Sequence, residues 1–124
     1  MSQNFCQTAF IALATGNVNE LAKFYEALLH VAPTILVADR YAEFAIAGLK
    51  LALFQPQAGH QPEFDQPARA AMSLCLEVAN LDAAIAHITR LGYAPPGIIT
   101  QASHGREIYA YDPDGNRLIL HQQT

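Results

Sequence analysis

The chain has 124 residues, the length of a single domain with a packed core, although a pocket on so short a chain can need a second subunit to complete its walls. Hydrophobic residues make up 52% of it, charged residues 15%, and the formal net charge is −4. Without a cluster of lysine or arginine, this composition argues against nucleic acid or an anionic membrane as the main partner. No apolar run approaches the roughly 20 residues of a membrane span, and the N-terminal residues lack the basic flank of a signal peptide, so we expect a soluble cytoplasmic protein. The low charge and high apolar fraction also indicate that some apolar surface is buried against a partner, which keeps a homodimer in view.

Residues 7–54 predict one strand, one helix and three further strands. An apolar run from Gln7 to Ala14 predicts the first strand. Asn17 then begins a helix, because its side-chain oxygen can accept a hydrogen bond from the backbone amide of Glu20, and an acid at that position is typical of a capping box. Short runs after Pro33 predict strands over residues 34–37, 41–47 and 49–54.

The same order recurs over residues 73–121. Phe10 and Ser73, 63 positions apart, each begin an apolar run that leads to an asparagine and then to a helix-periodic stretch. In the second copy this asparagine is Asn80, and Gly92 follows the helix where a left-handed residue is needed. The strands are predicted over residues 73–78, 98–100, 107–111 and 117–121, the last two forming a hairpin around the turn at 112–116. We therefore predict module one over about residues 5–55, a linker with several prolines over about 56–70, and module two over about 71–122.

Strand alternation divides each predicted sheet into two faces. The face expected to pack against the helices carries Ile11, Leu13, Leu74, Leu76, Val78, Leu118 and Leu120. The opposite face carries Phe10, Ala12, Ser73, Cys75, Glu77, Ile119 and His121. A slip of one residue would expose a continuous apolar layer, which supports this register. The two cysteines, Cys6 and Cys75, are both expected to be small buried thiols in apolar strands.

The duplicated βαβββ unit, the Phe24-Tyr25 pair in the first helix and the Asp-Pro-Asp-Gly-Asn turn at 112–116 together resemble the vicinal oxygen chelate superfamily. This superfamily comprises the glyoxalases, the bleomycin-resistance proteins and the extradiol dioxygenases. The resemblance covers almost the whole chain. It implies an α+β fold in which two tandem βαβββ modules form a curved, half-open β-barrel around a cavity, with helices on the outer face. It also implies that dimerisation often completes the cavity.

Metal-dependent members of this superfamily carry four ligands, one near the start of the first strand and one on the last strand of each module. Transferred to this sequence, the first-strand positions are Phe10 and Ser73, and the last-strand positions are Ala52 and Ile119. None of these side chains supplies the imidazole or carboxylate that a divalent cation needs. We therefore predict no metal site and no cofactor. The acidic turn at 112–116 also lacks the spaced oxygen ligands of a calcium site.

The cavity is expected to be mostly apolar with a few polar groups, as pockets for small molecules are. Its expected ligand-binding residues are Phe10, Phe54, Ser73, Cys75, Glu77, Tyr109, Ile119 and His121. Glu77 and His121 could form an acid–base pair if they meet, or each could lie solvated at the end of its strand, so no catalytic residue is assigned. Arg106 could bind an anion or lie solvated in the hairpin, and His60 and His104 are expected to be exposed loop residues.

Three functions remain open. The first is a metal-free protein of the bleomycin-resistance type that binds an apolar or aromatic small molecule in the cavity. The second is a glyoxalase-like lyase or a dioxygenase whose metal is held by non-standard ligands, with His121 and Glu77 among them. The third is a non-catalytic dimeric scaffold with a filled cavity, since a fold alone does not fix a function. The residues at the four metal positions favour the first.

Overall fold

The structure, a computed structural model, describes residues 5–124 and divides into two compact units. The first unit extends to Ala58, and the second runs from Gly59 to Thr124. Each contains one α-helix and one mixed four-stranded sheet in the order βαβββ. The prediction of an α+β fold built from two copies of this module is therefore confirmed.

The first unit is built from β1 (Ile11–Ala14), α1 (Val18–Leu29), β2 (Ile35–Val37), β3 (Tyr41–Ile46) and β4 (Leu49–Phe54). Its strands lie in the order β1-β4-β3-β2, with β1 parallel to β4 and the other neighbours antiparallel. The strand predicted from Gln7 begins only at Ile11, so Phe10 directly precedes it. The predicted start of α1 is confirmed, because the side chain of Asn17 accepts a hydrogen bond from the amide of Glu20 at 3.1 Å.

The second unit is built from β5 (Leu74–Glu77), α2 (Leu81–Arg90), β6 (Thr100–Ala102), β7 (Gly105–Tyr111) and β8 (Arg117–Gln123). Its strands lie in the equivalent order β5-β8-β7-β6, and β5 is parallel to β8. The prediction placed β6 two residues too early, since Ile98 is 82% exposed and lies outside the sheet. Ahead of β5, where an irregular linker was predicted, residues Ala58–Phe64 and Pro67–Arg69 form short 3₁₀ helices.

Both sheets pair their strands in the same register. Ile11 lies opposite Leu51 in the first sheet, and Leu74 lies opposite Leu118 in the second. The pair Ala14 and Phe54 therefore corresponds to the pair Glu77 and His121. This register agrees with the repeat alignment used to transfer the four metal positions.

In each unit the helix packs against one face of the sheet. The buried apolar residues of the first unit are Val18, Leu21, Ala22, Phe24, Tyr25, Ala42, Phe44, Leu51, Ala52 and Leu53. Those of the second are Leu81, Ile88, Ile108, Ala110, Leu118 and Leu120. Gln122, on the same face of β8 as Leu118 and Leu120, accepts a hydrogen bond from the amide of Leu81 at 2.7 Å, which fixes the side on which α2 lies. The opposite side of each sheet is called the helix-free face below.

The structure also bears on the predicted burial of the cysteines and on membrane-spanning helices. The two cysteines are free and exposed, so the prediction of buried thiols was wrong. Cys6 lies ahead of β1, and Cys75 lies on the helix-free face, where an apolar strand pattern does not ensure burial. Within the range 5–124, neither helix has the length and apolar content that a membrane crossing requires.

Candidate functional site

The helix-free face of the second sheet carries six of the eight residues predicted to bind a ligand. They are Ser73, just before β5, Cys75 and Glu77 in β5, Tyr109 in β7, and Ile119 and His121 in β8. Strand pairing arranges five of them, together with Glu107, in two rows across the sheet. One row is Cys75, Ile119 and Tyr109, and the other is Glu77, His121 and Glu107. The register, which pairs Tyr109 with Ile119, places Tyr109 on this face.

Glu77 and His121 form a hydrogen-bonded pair. Nδ1 of His121 lies 2.7 Å from Oε1 of Glu77, and the other carboxylate oxygen accepts a hydrogen bond from the amide of Gln123 at 2.9 Å. His121 is only 5% exposed, whereas the side chain of Glu77 is 49% exposed. Of the two alternatives that the sequence left open, the structure therefore contains the pair and not two solvated side chains.

The second ring nitrogen of His121 is covered. Nε2 is buried and finds no hydrogen-bond partner in the described part of the chain. A Cβ atom added to Gly105 would lie 2.8 Å from this nitrogen, so the ring rests against the Gly105 backbone. The ring of His104 lies with its centre 5.0 Å from that of His121, and His104 is exposed as expected. Nε2 can therefore reach neither a metal nor a substrate unless the start of β7 moves.

Cys75 is held in its neutral form. Although the residue is exposed, the strand buries its thiol in part and this raises the pKa, which the negative charges of Glu77 and Glu107 raise further. Because the thiolate is the reactive form, this shift makes Cys75 a poor nucleophile at neutral pH. Beside it lie the half-buried Ile119 and the 50% exposed Tyr109, so this row offers contact surface and no nucleophile.

The helix-free face of the first sheet carries the other two predicted residues. Phe10 is 46% exposed, and the Nζ atom of Lys50 lies 4.7 Å from the centre of its ring, a cation–π arrangement. Phe54 is half-buried at the end of β4, opposite Tyr41 in β3.

Lys50 also belongs to a polar chain on this face. Its Nζ atom lies 3.7 Å from Oε1 of Glu43, whose Oε2 accepts a hydrogen bond from the hydroxyl group of Tyr41 at 2.5 Å. This hydrogen bond, together with burial and the negative charge of Glu43, raises the pKa of Tyr41 to about 12. The phenol therefore stays protonated above pH 10.0, where an unshifted tyrosine would lose its proton.

The four positions at which metal-dependent relatives carry ligands do not fit a divalent cation here. Phe10, Ala52 and Ile119 offer only carbon atoms, and the hydroxyl group of Ser73 already accepts a hydrogen bond at 2.6 Å. The ammonium group of Lys50 over the Phe10 ring places a positive charge at one of these positions. Across residues 5–124, no group of three or more His, Cys, Asp or Glu side chains could hold a metal ion.

The acidic turn between β7 and β8 has a structural role in this conformation. Asp112 is 3% exposed, and its Oδ1 atom accepts hydrogen bonds from the amides of Asp114 and Asn116, both at 2.9 Å. Its Oδ2 atom accepts another from the side chain of Asn116 at 2.8 Å. These bonds close the turn and occupy the carboxylate.

Sequence reasoning missed two cations on the helix-free faces. Lys50 in β4 and Arg117 in β8 occupy equivalent positions, each two residues after the turn glycine Gly48 or Gly115. That shared spacing was the available signal. Arg106, the cation that was considered, lies on the helix side of β7, with its Nη2 atom 3.9 Å from the carboxylate of Asp82.

A shallow pocket of about 400 Å³ lies elsewhere in the second unit. It is lined by Asp65, Gln66, Pro67, Ala68, Arg69 and Asp114. None of the residues predicted to bind a ligand lines it, so it does not coincide with the helix-free face.

Comparison with known proteins identifies the relatives of this chain. The family model described as "Glyoxalase/Bleomycin resistance protein/Dioxygenase superfamily" matches residues 7–120. A comparison with curated proteins found no match.

Solved structures match over nearly the whole chain. A hypothetical protein, SA1046 from S. aureus, is 16% identical with a TM-score of 0.79, covering 97% of this chain and 96% of its own. Protein ATC0852 from Agrobacterium tumefaciens is 27% identical with a TM-score of 0.71, covering 93% and 95%. The fosfomycin resistance protein FosX from Listeria monocytogenes, complexed with Mn(II) and sulfate, is 21% identical with a TM-score of 0.74, covering 98% and 93%.

Proposed function

Because this chain belongs to the Glyoxalase/Bleomycin resistance protein/Dioxygenase superfamily, we propose that it is a metal-independent protein that binds an apolar or aromatic small molecule on a helix-free sheet face. The observation that carries the proposal is the set of side chains at the four metal positions of the superfamily. At these positions stand Phe10, Ala52, Ser73 and Ile119. A phenyl ring, two aliphatic groups and a hydroxyl group already hydrogen-bonded suit an organic ligand better than a cation.

The exposed aromatic side chains on these faces support a ligand with a flat apolar body. Phe10 is 46% exposed on the first sheet, and Tyr109 is 50% exposed on the second. Stacking on such a ring contributes about 0.5–1.5 kcal/mol beyond the burial of area. That is enough to favour planar ligands over compact ones.

A metal-dependent lyase or dioxygenase with non-standard ligands is the second candidate, favoured by the contact between Glu77 and His121. This candidate is weakened because neither ring nitrogen of His121 is available to a metal. Nδ1 of His121 is already bonded to Glu77 at 2.7 Å, and Nε2 is buried against Gly105. A non-catalytic dimeric scaffold is the third candidate, and the exposure of Phe10 argues against a face filled by its own side chains.

Binding of a neutral aromatic probe tests the proposal. We expect naphthalene-2-carboxamide to bind to the wild-type protein, as measured by saturation-transfer NMR, and Phe10→Ala to weaken this binding with little loss of stability. Phe64→Ala is the matched control, because Phe64 is similarly exposed at 42% but lies in a 3₁₀ helix outside the sheets. Unchanged binding by Phe10→Ala together with a large loss of stability would show that the ring is core packing and would contradict the proposal.

Elemental analysis separates the first two candidates. We expect protein purified without chelator to contain far less than one equivalent of zinc, iron, manganese or nickel per chain. One equivalent of any of these metals would favour the lyase or dioxygenase.

A further inference from the structure

Arg117 is held in one orientation on the helix-free face of the second sheet. Its Nε atom donates a hydrogen bond to Oγ of Ser73 at 2.6 Å, and its Nη2 atom donates one to the backbone carbonyl of Ala70, also at 2.6 Å. The side chain is half-buried at the first position of β8. Two short hydrogen bonds to groups on separate residues fix the plane of the guanidinium group.

The charge of this guanidinium group is not matched by an acid. Both acceptors are neutral oxygens, and no carboxylate of residues 5–124 forms an ion pair with Arg117. Lys50, at the equivalent position of the first sheet, has Glu43 at 3.7 Å, and Arg106 has Asp82 at 3.9 Å. A guanidinium group has five N–H donors, so three of those on Arg117 form no hydrogen bond within the described chain.

Apolar and aromatic groups lie beside this cation. Ile119 is the next residue of β8 on the same face, and Tyr111 lies directly opposite Arg117 in β7. Both are half-buried. A planar cation with unused donors at the margin of such a surface is complementary to a carboxylate attached to an apolar body, because the two oxygens of a carboxylate match the guanidinium fork.

We propose that Arg117 binds the carboxylate group of the ligand, which makes the ligand an aromatic or aliphatic carboxylic acid. The inference rests on the proposed function, since it names the polar end of the molecule whose apolar body lies on the same face. Ser73 is then a positioning residue that orients the guanidinium group through its hydroxyl oxygen.

Two probes that share a ring system and differ in charge test this inference. Naphthalene-2-carboxylate and naphthalene-2-carboxamide have the same apolar body, so any difference in their dissociation constants reports the charged end. We expect the wild-type protein to bind the carboxylate at least about tenfold more tightly, as expected for charge-assisted hydrogen bonds. We expect Arg117→Gln to remove this difference by weakening the carboxylate alone. Arg90→Gln, the same change at an exposed residue in the last turn of α2, is the matched control and leaves both affinities unchanged.

A purely structural role for Arg117 gives a different pattern. Arg117→Gln then lowers the melting temperature, through loss of the bonds to Ser73 and Ala70, without changing the preference between the probes. A measurement on the wild-type protein does not depend on whether a variant folds. Raising the ionic strength should weaken the binding of naphthalene-2-carboxylate and leave the binding of naphthalene-2-carboxamide unchanged. Ser73→Ala retains the charge of Arg117, so we expect it to reduce the preference for the carboxylate over the amide only in part.

The outcomes separate the two proposals. Equal binding of both probes by the wild-type protein overturns the role of Arg117 and leaves the proposed function in place. A preference that persists in Arg117→Gln also overturns it, since another group then binds the anion. Binding of neither probe contradicts the proposed function, and this inference with it.

Discussion

Substitution of Gly105 by alanine tests the packing that covers His121. The added Cβ atom would lie 2.2 Å from the carbonyl oxygen of Gln122 and 2.8 Å from the His121 ring. The carbonyl belongs to β8, which is hydrogen-bonded to β5 and to β7, so it cannot move without disturbing two strand pairings. Overpacking of this kind costs about 1–3 kcal/mol. For a chain of this length, that lowers the melting temperature by about 4–12 °C.

Gly97→Ala is the matched control, because no atom lies within 4 Å of the Cβ position at Gly97. We expect this control to stay within about 0.5 kcal/mol of the wild-type protein in urea unfolding. The Cε1 proton resonance of His121 should shift in Gly105→Ala and stay in place in Gly97→Ala. If both variants unfold at the same urea concentration, the ring of His121 is not packed against β7, and the burial of its Nε2 atom no longer argues against a metal there.

Three further predictions concern titration and assembly. The raised pKa of Tyr41 means that its hydrogen bond to Glu43 contributes stability that is fully present below pH 10.0 and is lost as the pH rises to about 12. Absorbance titration should show a late-ionising tyrosine that Glu43→Gln shifts to lower pH. Because Tyr25 is also fully buried, the comparison with Glu43→Gln is decisive, and an unchanged titration would contradict the bond between Tyr41 and Glu43. The raised pKa of Cys75 predicts that iodoacetamide alkylates this thiol more slowly in the native protein than in the urea-unfolded protein. Glu77→Gln should increase the native rate, because it removes one of the negative charges that raise the pKa. Equal native and unfolded rates would refute the shift. We also expect a homodimer, because only 15% of the residues are charged, 52% are hydrophobic, and the resemblance to the superfamily implies cavities that are often completed by dimerisation. Sedimentation of a 13.5 kDa species at micromolar concentration would show that this is wrong.

The sequence predicted those parts of the fold that depend on local patterns. The asparagine caps at Asn17 and Asn80 and the left-handed residue at Gly92 are local, and all three are present, with Gly92 at φ 101°. The start of β6 was placed too early, because its edge position in the sheet depends on pairing with β7 and not on its own residues. Pairing across strands, which periodicity does not reveal, is the general reason for such errors.

The candidate site was predicted less completely for a related reason. Alternation assigns a residue to a face, and it placed Glu77 and His121 on the same one, but it cannot state whether two side chains meet or whether that face is covered. The contact between them, the covered Nε2 atom and the exposed Cys75 all depend on neighbours distant in sequence. Arg117 was missed because its unusual property is the absence of an acidic partner, which only the arrangement of the surrounding chain reveals.

The likeness to FosX, at 21% identity, shows a shared fold and leaves the chemistry of the helix-free faces to the residues of this chain. In this chain the fold depends on the apolar residues between each helix and its sheet. The helix-free faces take no part in that packing, so their residues can change from metal ligands to aromatic and aliphatic groups without loss of the fold. Phe10 and Ile119 at two of the four metal positions are such groups, while Lys50 and Arg117 bring positive charge to the same faces. The proposal of an acidic organic ligand rests on the second sheet, where Arg117 lies beside apolar groups without an ion pair in the described chain, whereas Lys50 of the first sheet lies beside Glu43.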